Sequence, residues 1–521
     1  MMRLVFRHNR WRLLAWAVVI TGMIPLVNAS QRAMFPTPAD REAYAAIASN
    51  PLVAALTGTP YAADTFGGIL VLKIWMTLAL TLVLSTIFLV TRNGRSEEES
   101  GRTELLRANV QGRHTYTLAG WFVVAAYNVS VGILVSGAAV ALGLPADGSL
   151  VLGASLAALG LFFLGVSAVM GQLFPAARGA NGAAAAVLGV AYVLRAIGDL
   201  EGNGTAPGWT SLLSPIGWAQ QMRAFGENRW WPLVPLVLGA VLLCGVAMAV
   251  EARRDLGTGV LPVRPGPAAA GRFLATPFGL SLRLQRGPII GWFATVLVMA
   301  WMYGSVASAM ADLLGTNTVF ITLVGRHGTA TTSGVLMFLS MLNAIAVNAF
   351  VVESALQLRT EEATGRAEAQ LAGSLSRLRW AWGRLLVTVI GSILMLVVGG
   401  TIMGAAYGAS RNDPSQLWVL AGLSLFEWPS VMVTAGVVVL LIGVVPRQAA
   451  ALSWCYFGVS SIVSMFGLPL ASAENMLFTA TAAFPADSLV LLTLAALTAI
   501  AVALWAIGLV RFARRDLAPG T

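Results

Sequence analysis

The stretch RSEEESGRTE occupies residues 95–104, directly after a long apolar run, and a close copy, RTEEATGRAE, occupies residues 359–368. Six of the ten positions are identical and two more exchange serine for threonine. The chain that carries these strings is 57% hydrophobic and only 11% charged. A highly charged string that recurs in so apolar a chain predicts a structural unit that is repeated. We call the two strings the acidic motifs.

Two further matches occur in the same order. RHNRWRLLAW (7–16) aligns with RLQRGPIIGW (283–292), and ARRDL recurs at 252–256 and 513–517. The offsets of the three matches lie between 261 and 276. This nearly constant spacing predicts an internal duplication. We expect a first half over residues 1–257, a cytoplasmic linker with an elbow helix over 258–288, and a second half over 289–521.

The composition predicts a membrane protein, because a soluble domain cannot bury so much apolar surface. A hydrocarbon core of about 30 Å needs roughly 20 apolar residues as a helix. We therefore predict an all-α polytopic fold with about twelve transmembrane helices, in two tandem six-helix halves of the same orientation. The predicted spans are 12–30, 66–90, 118–141, 149–172, 183–198, 232–250, 289–311, 334–356, 383–408, 418–444, 450–468 and 487–510. The fifth span is short, and the tenth is interrupted near Pro429.

Arginine placement predicts the orientation. If both termini are cytoplasmic, the inner segments hold 25 arginines and the outer segments hold 6. This bias is typical of the positive-inside pattern of a multi-pass protein in the bacterial plasma membrane. The arginine-rich approach to the first span recurs in mid-chain, which favours a retained span over a cleaved signal peptide. Each approach, 3–12 and 272–286, is either an amphipathic elbow helix or simple anchoring.

Several function classes find no support in these residues. A phosphate-binding P-loop requires a lysine in G-x-x-x-x-G-K-[ST], and the single lysine, Lys73, lies inside a predicted span. The two cysteines and three histidines show no metal-ligand spacing, so no metal site is expected. No basic run with interleaved aromatics suggests nucleic acid, and no catalytic constellation is present. If transport by this chain uses ATP, a separate polypeptide must hydrolyse it.

Local chemistry within the acidic motifs gives specific expectations. Ser96 and Glu99 have the spacing of a capping box. Glu98 with Arg102, and Glu362 with Arg366, have the i, i+4 spacing of helical ion pairs worth a few tenths of a kcal/mol. Gly101 and Gly365 favour a helix end or a close approach. Either each motif is a short solvated helix, or it is a docking element for a cytoplasmic partner.

The acidic motif, together with SPIGWAQQMRAFGENRWWPL (214–233), resembles membrane subunits of bacterial ABC exporters of the type-2 permease class. The resemblance is to the permeases that export tetronasin and other polyether antibiotics in actinobacteria, and it covers essentially the whole chain. It implies two copies of a separate ATP-binding subunit, which hold ATP and Mg²⁺, and a hydrophobic antibiotic or drug as substrate. It also implies a coupling-helix role for Glu97, Glu98, Glu99, Arg102, Glu104, Glu361, Glu362, Arg366 and Glu368.

Two further sets of residues are candidates for function. Polar residues in an apolar span are functional candidates by default. We expect the substrate path to include Lys73, Asn343, Asn348, Glu353 and Glu427. The segment between the fifth and sixth spans is either a membrane-hugging connector with an aromatic belt or an outer gate. The candidate gate residues are Pro215, Trp218, Trp230 and Trp231.

An ion-coupled secondary transporter with twelve spans is the alternative hypothesis, because such proteins also often contain two related halves. It would need an intramembrane ion-coupling site. Glu353 and Glu427 are the candidates for that site, and neither has a counterpart in the first half. A neighbouring gene for a P-loop ATPase would favour the exporter.

Overall fold

The computed structural model describes residues 1–49, 54–55, 57–107, 112, 114–202, 206–255, 257–261, 269, 271–313, 332–466 and 489–517. The chain divides into two compact units, Met1–Pro265 and Gly266–Thr521. The boundary falls inside the linker predicted at 258–288. All the regular elements in the described ranges are helical.

The described residues of the first unit form nine α-helices. The helix Phe66–Thr91 is prolonged by a π-helical turn, Arg92–Ser96, and by one more α-helical turn, Glu97–Glu99. A 3-10 helix, Trp209–Leu213, precedes the short helix Pro215–Gln220. The helices are α1 (Met2–Met34), α2 (Pro38–Ala48), α3 (Phe66–Thr91), α4 (Arg102–Arg107), α5 (Thr115–Ala141), α6 (Ala146–Leu173), α7 (Ala177–Glu201), α8 (Pro215–Gln220) and α9 (Leu233–Arg253).

The second unit contains eight described helices. They are α10 (Pro277–Leu313), α11 (Thr332–Ala363), α12 (Arg366–Leu371), α13 (Arg377–Arg411), α14 (Gln416–Phe426), α15 (Trp428–Val444), α16 (Ala449–Phe466) and α17 (Leu489–Arg514). Residues 3–12 and 277–286 belong to α1 and α10 and continue into the first span of each unit. In neither unit is the approach to that span a separate elbow helix.

The described part of the chain holds eleven segments that are long and apolar enough to cross a membrane. Ten of them coincide with the first ten predicted spans, and the eleventh, Leu494–Arg514, coincides with the last. The predicted span 450–468 corresponds to α16, which is not among the eleven. The fold is therefore that of a polytopic α-helical membrane protein.

Two details of individual spans can be compared with expectation. The break in the tenth span is confirmed: α14 ends at Phe426 and α15 begins at Trp428, with Pro429 in its first turn. Proline has no N–H to donate to the preceding turn, and so the helix restarts there. The prediction of a short fifth span is wrong, because α7 has 25 residues. Its alanine-rich first turns are less apolar than a typical span but fully helical.

Small residues allow the helices of the first unit to pack closely. A Cβ added to Gly132 in α5 would lie 2.6 Å from the carbonyl oxygen of Gly153 in α6. Lipid tails are as apolar as the side chains, so the hydrophobic effect does not drive membrane helices together. Close packing of their backbones contributes to helix association instead. Across the same core, the buried Trp75 of α3 donates its indole N–H to Ser155 at 2.9 Å. This packing fixes α3, which carries the first acidic motif at its end.

Each acidic motif ends a helix at the same position. Gly101 and Gly365 have φ of +72° and +74°. Their N–H groups donate to the carbonyls of Glu98 and Glu362, both at 3.1 Å. The expectation of a helix end at these glycines is confirmed. The left-handed residue turns the chain from the long helix into the short helix α4 or α12.

We expect Gly101→Ala and Gly365→Ala each to destabilise the protein by about 1 kcal/mol, because an L-residue is strained in this conformation. Nothing lies within 4 Å of a Cβ at either position, so the loss would report backbone strain alone. Thermal unfolding of the detergent-solubilised chain measures it. The Gly→Asn variants are the control, since asparagine tolerates positive φ. Equal losses for alanine and asparagine would contradict this explanation.

Candidate functional site

A buried carboxylate lies at the centre of the first acidic motif. Glu98 accepts two hydrogen bonds from the guanidinium of Arg254, at 2.6 and 2.9 Å. Its second oxygen also accepts from Arg95 at 2.7 Å. The side chains of Glu98 and Arg254 are 8% and 6% exposed. Planar, two-point pairing of this kind is among the strongest side-chain contacts in proteins.

The second unit builds the same arrangement from its own residues. Glu362 accepts from both terminal nitrogens of Arg515, with the Nη2 bond at 2.7 Å. Arg359 lies 3.5 Å from the same carboxylate. We call the pairs Glu98–Arg254 and Glu362–Arg515 the arginine clamps. Each clamp joins the end of the second span to the end of the last span of its unit.

A backbone contact adds a third element to each clamp. Arg95 donates its Nε–H to the carbonyl of Pro175 at 2.9 Å, and Arg359 donates to that of Pro446 at 2.7 Å. Both prolines lie between the fourth and fifth spans of their units. In the first unit Arg254 also donates to Gln172 of α6, at 2.6 Å. The clamps therefore tie together the ends of several helices.

The predicted pairing and capping inside the motifs are wrong. Ser96 and Thr360 lie within continuous helix, so neither side chain caps a helix start. Arg102 pairs with Glu97 at 3.4 Å rather than with Glu98. Arg254, which is distant in sequence, bonds the carboxylate of Glu98, which the i, i+4 spacing had paired with Arg102.

The same shift of partner occurs in the second unit, where Arg366 pairs with Glu361 at 3.6 Å instead of with Glu362. The side chains of Arg102 and Arg366 are 62% and 65% exposed. Glu104 and Glu368 are also exposed, whereas four other glutamates are largely buried: Glu97, Glu98, Glu361 and Glu362. Each motif thus has a buried part that faces its own chain and an exposed part. Glu99 is exposed, but its carboxylate accepts the N–H of Ala177 at the start of α7.

The two units differ in what surrounds Glu97 and Glu361, which precede the clamped glutamates. In the second unit Glu361 lies 3.5 Å from Arg384 of α13. Gln370 of α12 accepts hydrogen bonds from Arg384 at 3.0 Å and from the indole of Trp380 at 2.9 Å. Two side chains of α13 thereby hold the short helix α12.

In the first unit the corresponding glutamate borders a cavity. Glu97 lines a space of about 460 Å³ together with His8, Asn93, Arg102 and Tyr116. The Nδ2 atom of Asn93 is buried in this region without a hydrogen-bond partner. The surroundings of Glu97 are therefore open where those of Glu361 are filled.

At the other end of the first unit, α8 is a short helix buried among longer ones. Ser214 caps it by accepting from the N–H groups of Ile216 and Gly217, and donates to Ala191 of α7 at 2.6 Å. Of the candidate gate residues, Pro215 is buried at the start of α8, and Trp218 packs edge-on against Phe162, with 6.0 Å between the ring centroids.

The other two candidate gate residues, Trp230 and Trp231, are 48% and 56% exposed, as an aromatic belt requires.

A cap of polar contacts covers α8. The amide of Gln221 donates to the hydroxyl of Tyr61 at 3.2 Å, and the guanidinium of Arg223 lies 4.4 Å from the centre of the Tyr61 ring. Burial raises the pKa of Tyr61, so its phenol stays protonated. Behind it, the buried Arg195 pairs with Asp199 at 2.9 Å. These contacts hold the chain before α3 against α7 and α8.

The candidate path residues are divided between the two units. Lys73 in the first unit lies over the rings of Phe35 and Tyr44, at 4.6 and 5.8 Å. In the second unit Glu353 accepts from the indole of Trp292 at 2.7 Å. Buried polar atoms without a hydrogen-bond partner occur on Asn343, Asn348 and Glu427.

Sequence reasoning missed Arg254 and Arg515. Both lie in the ARRDL strings, which we interpreted only as evidence of the duplication. The signal was present, since ARRDL recurs at nearly the same offset as the acidic motifs. Two charged strings of opposite sign that repeat together are the pattern expected of partners.

A profile of the family described as "Multidrug efflux system permease Rv1217c, C-terminal domain" matches residues 1–250 and 274–513. The chain belongs to this permease family. A relative, the multidrug efflux system permease protein Rv1217c of Mycobacterium tuberculosis (strain ATCC 25618 / H37Rv), is 34% identical over 455 residues. The alignment covers 86% of this permease and 81% of the relative. A permease is a transporter subunit, and this one is a multi-pass protein of the plasma membrane.

We expect Glu362→Gln to destabilise the permease by about 3 kcal/mol, because Arg515, whose side chain is only 16% exposed, would lose its carboxylate partner. The double variant Glu362→Gln/Arg515→Gln should lose less than the sum of the two single variants. Thermal unfolding in detergent across this double-mutant cycle measures the coupling. Arg514→Gln is the control, since Arg514 is exposed next to the clamp. A loss at Arg514 equal to that at Arg515 would contradict the clamp.

Proposed function

We propose that this permease is the transmembrane subunit of an ATP-driven ABC exporter that moves hydrophobic antibiotics or drugs out of the cell. Two tandem six-helix halves from an internal duplication would give twelve spans with both termini in the cytoplasm. Two copies of a separate ATP-binding subunit would hold ATP and Mg²⁺. The observation that carries the proposal is the arginine clamp, which recurs in both units with a charged short helix exposed beside it.

The clamps suit a device that transmits motion. A force applied to α4 or α12 reaches the end of the second span through one turn of chain. Because the clamped carboxylate is bonded to the end of the last span, those helix ends would move together. In an ATP-driven exporter this would convert closure of the ATP-binding subunits into a change of access to the substrate path. Net transport also requires that the outward state bind substrate less tightly.

The geometry divides the proposed coupling residues into two groups. The exposed residues Glu99, Arg102, Glu104, Arg366 and Glu368 would contact the ATP-binding subunits. The buried residues Glu97, Glu98, Glu361 and Glu362 would hold the short helices in place. Docking by the carboxylates of Glu98 and Glu362 themselves is disfavoured, because they are bonded to arginines of their own chain.

The residues proposed for the substrate path within the spans are Lys73, Asn343, Asn348, Glu353 and Glu427. Unpaired buried polar atoms need water or a ligand, and this supports the assignment of Asn343, Asn348 and Glu427. The segment around Pro215 and Trp218 would close the outer end of the path, since α8 is buried under a polar cap. Trp230 and Trp231 would anchor this region at the membrane surface.

We expect the combined reversal Arg102→Glu, Glu104→Arg, Arg366→Glu and Glu368→Arg to weaken binding of the ATP-binding subunit by at least about 100-fold, because like charges would meet across the interface. The net charge and the clamps are unchanged, so the permease should still fold and reach the membrane. Purification of the tagged permease in mild detergent, with the co-purifying proteins quantified, measures the loss. Arg253→Glu with Arg514→Glu is the control pair, exposed outside the motifs.

The alternative, an ion-coupled secondary transporter, gives the opposite result. In that case the tagged permease would purify alone, and a proton gradient without ATP would move substrate in liposomes. Glu353→Gln or Glu427→Gln would then abolish transport. Retention of a stoichiometric ATP-binding subunit that the reversed variant loses would support the exporter.

A further inference from the structure

The cavity beside Glu97 in the first unit is large enough for a small molecule. Its volume is about 460 Å³, and volumes of this order belong to ligand sites. Besides the residues named above, Leu4 and Val5 from the first turns of α1 line it. Its walls therefore come from α1, the continuation of α3, α4 and α5. We call it the Glu97 cavity.

One difference in sequence between the units accounts for this cavity. At the spacing of the two acidic motifs, Glu97 corresponds to Glu361, and Gly120 of α5 corresponds to Arg384 of α13. In the second unit the guanidinium of Arg384 lies 3.5 Å from the carboxylate of Glu361. In the first unit Gly120 has no side chain to supply that cation. The Glu97 cavity therefore corresponds to the place of a guanidinium.

The carboxylate of Glu97 has fewer cations around it than its counterpart has. Glu361 lies within 3.6 Å of Arg366 as well as of Arg384. Glu97 has Arg102 alone, at 3.4 Å, among the residues whose side chains are described. The side chain of Glu97 is only 11% exposed, whereas that of Arg102 is 62% exposed, so water screens the pair. A largely buried carboxylate with one such partner has capacity for another donor.

The cavity wall also contains a buried donor. Asn9 donates its amide N–H groups to the carbonyl of Val5 at 2.9 Å and to Oδ1 of Asn93 at 2.7 Å. These bonds fix the orientation of the Asn93 amide, whose Nδ2 is buried without a hydrogen-bond partner among the described residues. A buried donor of this kind requires an acceptor. The cavity therefore suits a ligand that carries both an N–H cation and an anionic oxygen.

We propose that the Glu97 cavity binds the headgroup of an ethanolamine phospholipid. Its primary ammonium donates to Glu97, in the place that a guanidinium takes in the second unit. Its phosphate pairs with Arg102 and accepts from Asn93. The quaternary ammonium of a choline headgroup has no N–H and cannot donate to a carboxylate. A glycerol headgroup has no cation, so it leaves Glu97 without a second one.

The membrane is the source of this ligand because of where the cavity lies. Leu4 and Val5 belong to a segment, Met2–Arg32, that is long and apolar enough to cross the membrane. The cavity therefore lies where the first span enters the bilayer, next to α4. Placement of the lipid in the inner leaflet rests on the proposed function, which has both termini in the cytoplasm. Unlike Arg384, the headgroup is not part of a span, so it can move with the short helix.

The test measures lipid selection by the purified permease in mild detergent, without an ATP-binding subunit. Phosphatidylethanolamine, phosphatidylcholine and phosphatidylglycerol with identical acyl chains are added in equal amounts, and native mass spectrometry counts the molecules retained per chain. We expect one retained phosphatidylethanolamine, preferred at least about tenfold over either competitor, because only its headgroup donates a charged hydrogen bond. Each N-methyl group added to the ethanolamine should weaken the preference.

Three variants locate the site. Glu97→Gln should bring the preference over phosphatidylcholine below about twofold, since a neutral amide attracts the ammonium far less than a carboxylate does. Glu361→Gln is the matched control and should leave the preference unchanged, because Arg384 fills the corresponding place. Gly120→Arg transfers the cation of the second unit to the first and should expel the lipid. A Cβ at Gly120 would lie 3.3 Å from that of Asn93, so this variant needs a small shift. If it does not fold, the two glutamine variants decide the question.

Three results would overturn the inference. One is equal retention of the three lipids by the unmodified permease. Another is a preference that survives Glu97→Gln, or that Glu361→Gln removes equally. The third is displacement of the lipid by an equal concentration of soluble phosphoethanolamine, which would assign the cavity to a soluble ligand.

Failure of the inference can be distinguished from failure of the proposed function. Export is measured separately, in vesicles that contain the permease, its ATP-binding subunit and ATP. Lipid selection that depends on Glu97, without ATP-driven export of any drug, would keep the lipid site and reject the exporter. ATP-driven export by a permease that retains the three lipids equally would keep the exporter and reject the lipid site.

Discussion

A carboxylate buried at the end of a membrane helix is stable only if cations compensate for its lost hydration. Glu98 and Glu362 meet this requirement through two-point pairing with Arg254 and Arg515. The clamp explains why so apolar a chain carries a dense charged string directly after a span. The glutamates are needed at the helix end, and the arginines must come from the last span of the same unit.

The clamp also explains the local backbone. Beyond Thr91 the first-unit helix continues through a π-helical turn, where Arg95 is directed to the carbonyl of Pro175. One turn later the chain must leave the helix, so that the exposed charges of α4 face away from the clamp. A residue with positive φ makes this exit, and glycine adopts that conformation without strain. Gly101 and Gly365 are therefore consequences of the same constraint.

Features that depend on neighbouring residues in the sequence were predicted correctly. Apolar run length located the spans, Pro429 marked the interruption of the tenth, and the repeated glycines marked a helix end. The partners of Glu98 could not be read in this way, because Arg254 is 156 residues away. An i, i+4 pair with Arg102 contributes a few tenths of a kcal/mol, whereas a buried two-point pair dominates once the fold forms. The recurrence of ARRDL carried the missing information, but only as a coincidence of spacing.

The difference between the units follows from one more non-local contact. Arg384 and Trp380 of α13 both bond to Gln370, so α12 is tied to the third span as well as to the clamp. In the first unit a cavity beside Glu97 occupies the corresponding place. Displacement of α12 is transmitted both to the third span and to the clamp. The short helix α4, beside the cavity, can tilt before its displacement reaches the clamp. If both short helices receive the same stroke from identical ATP-binding subunits, the second unit would respond first and the first unit would follow.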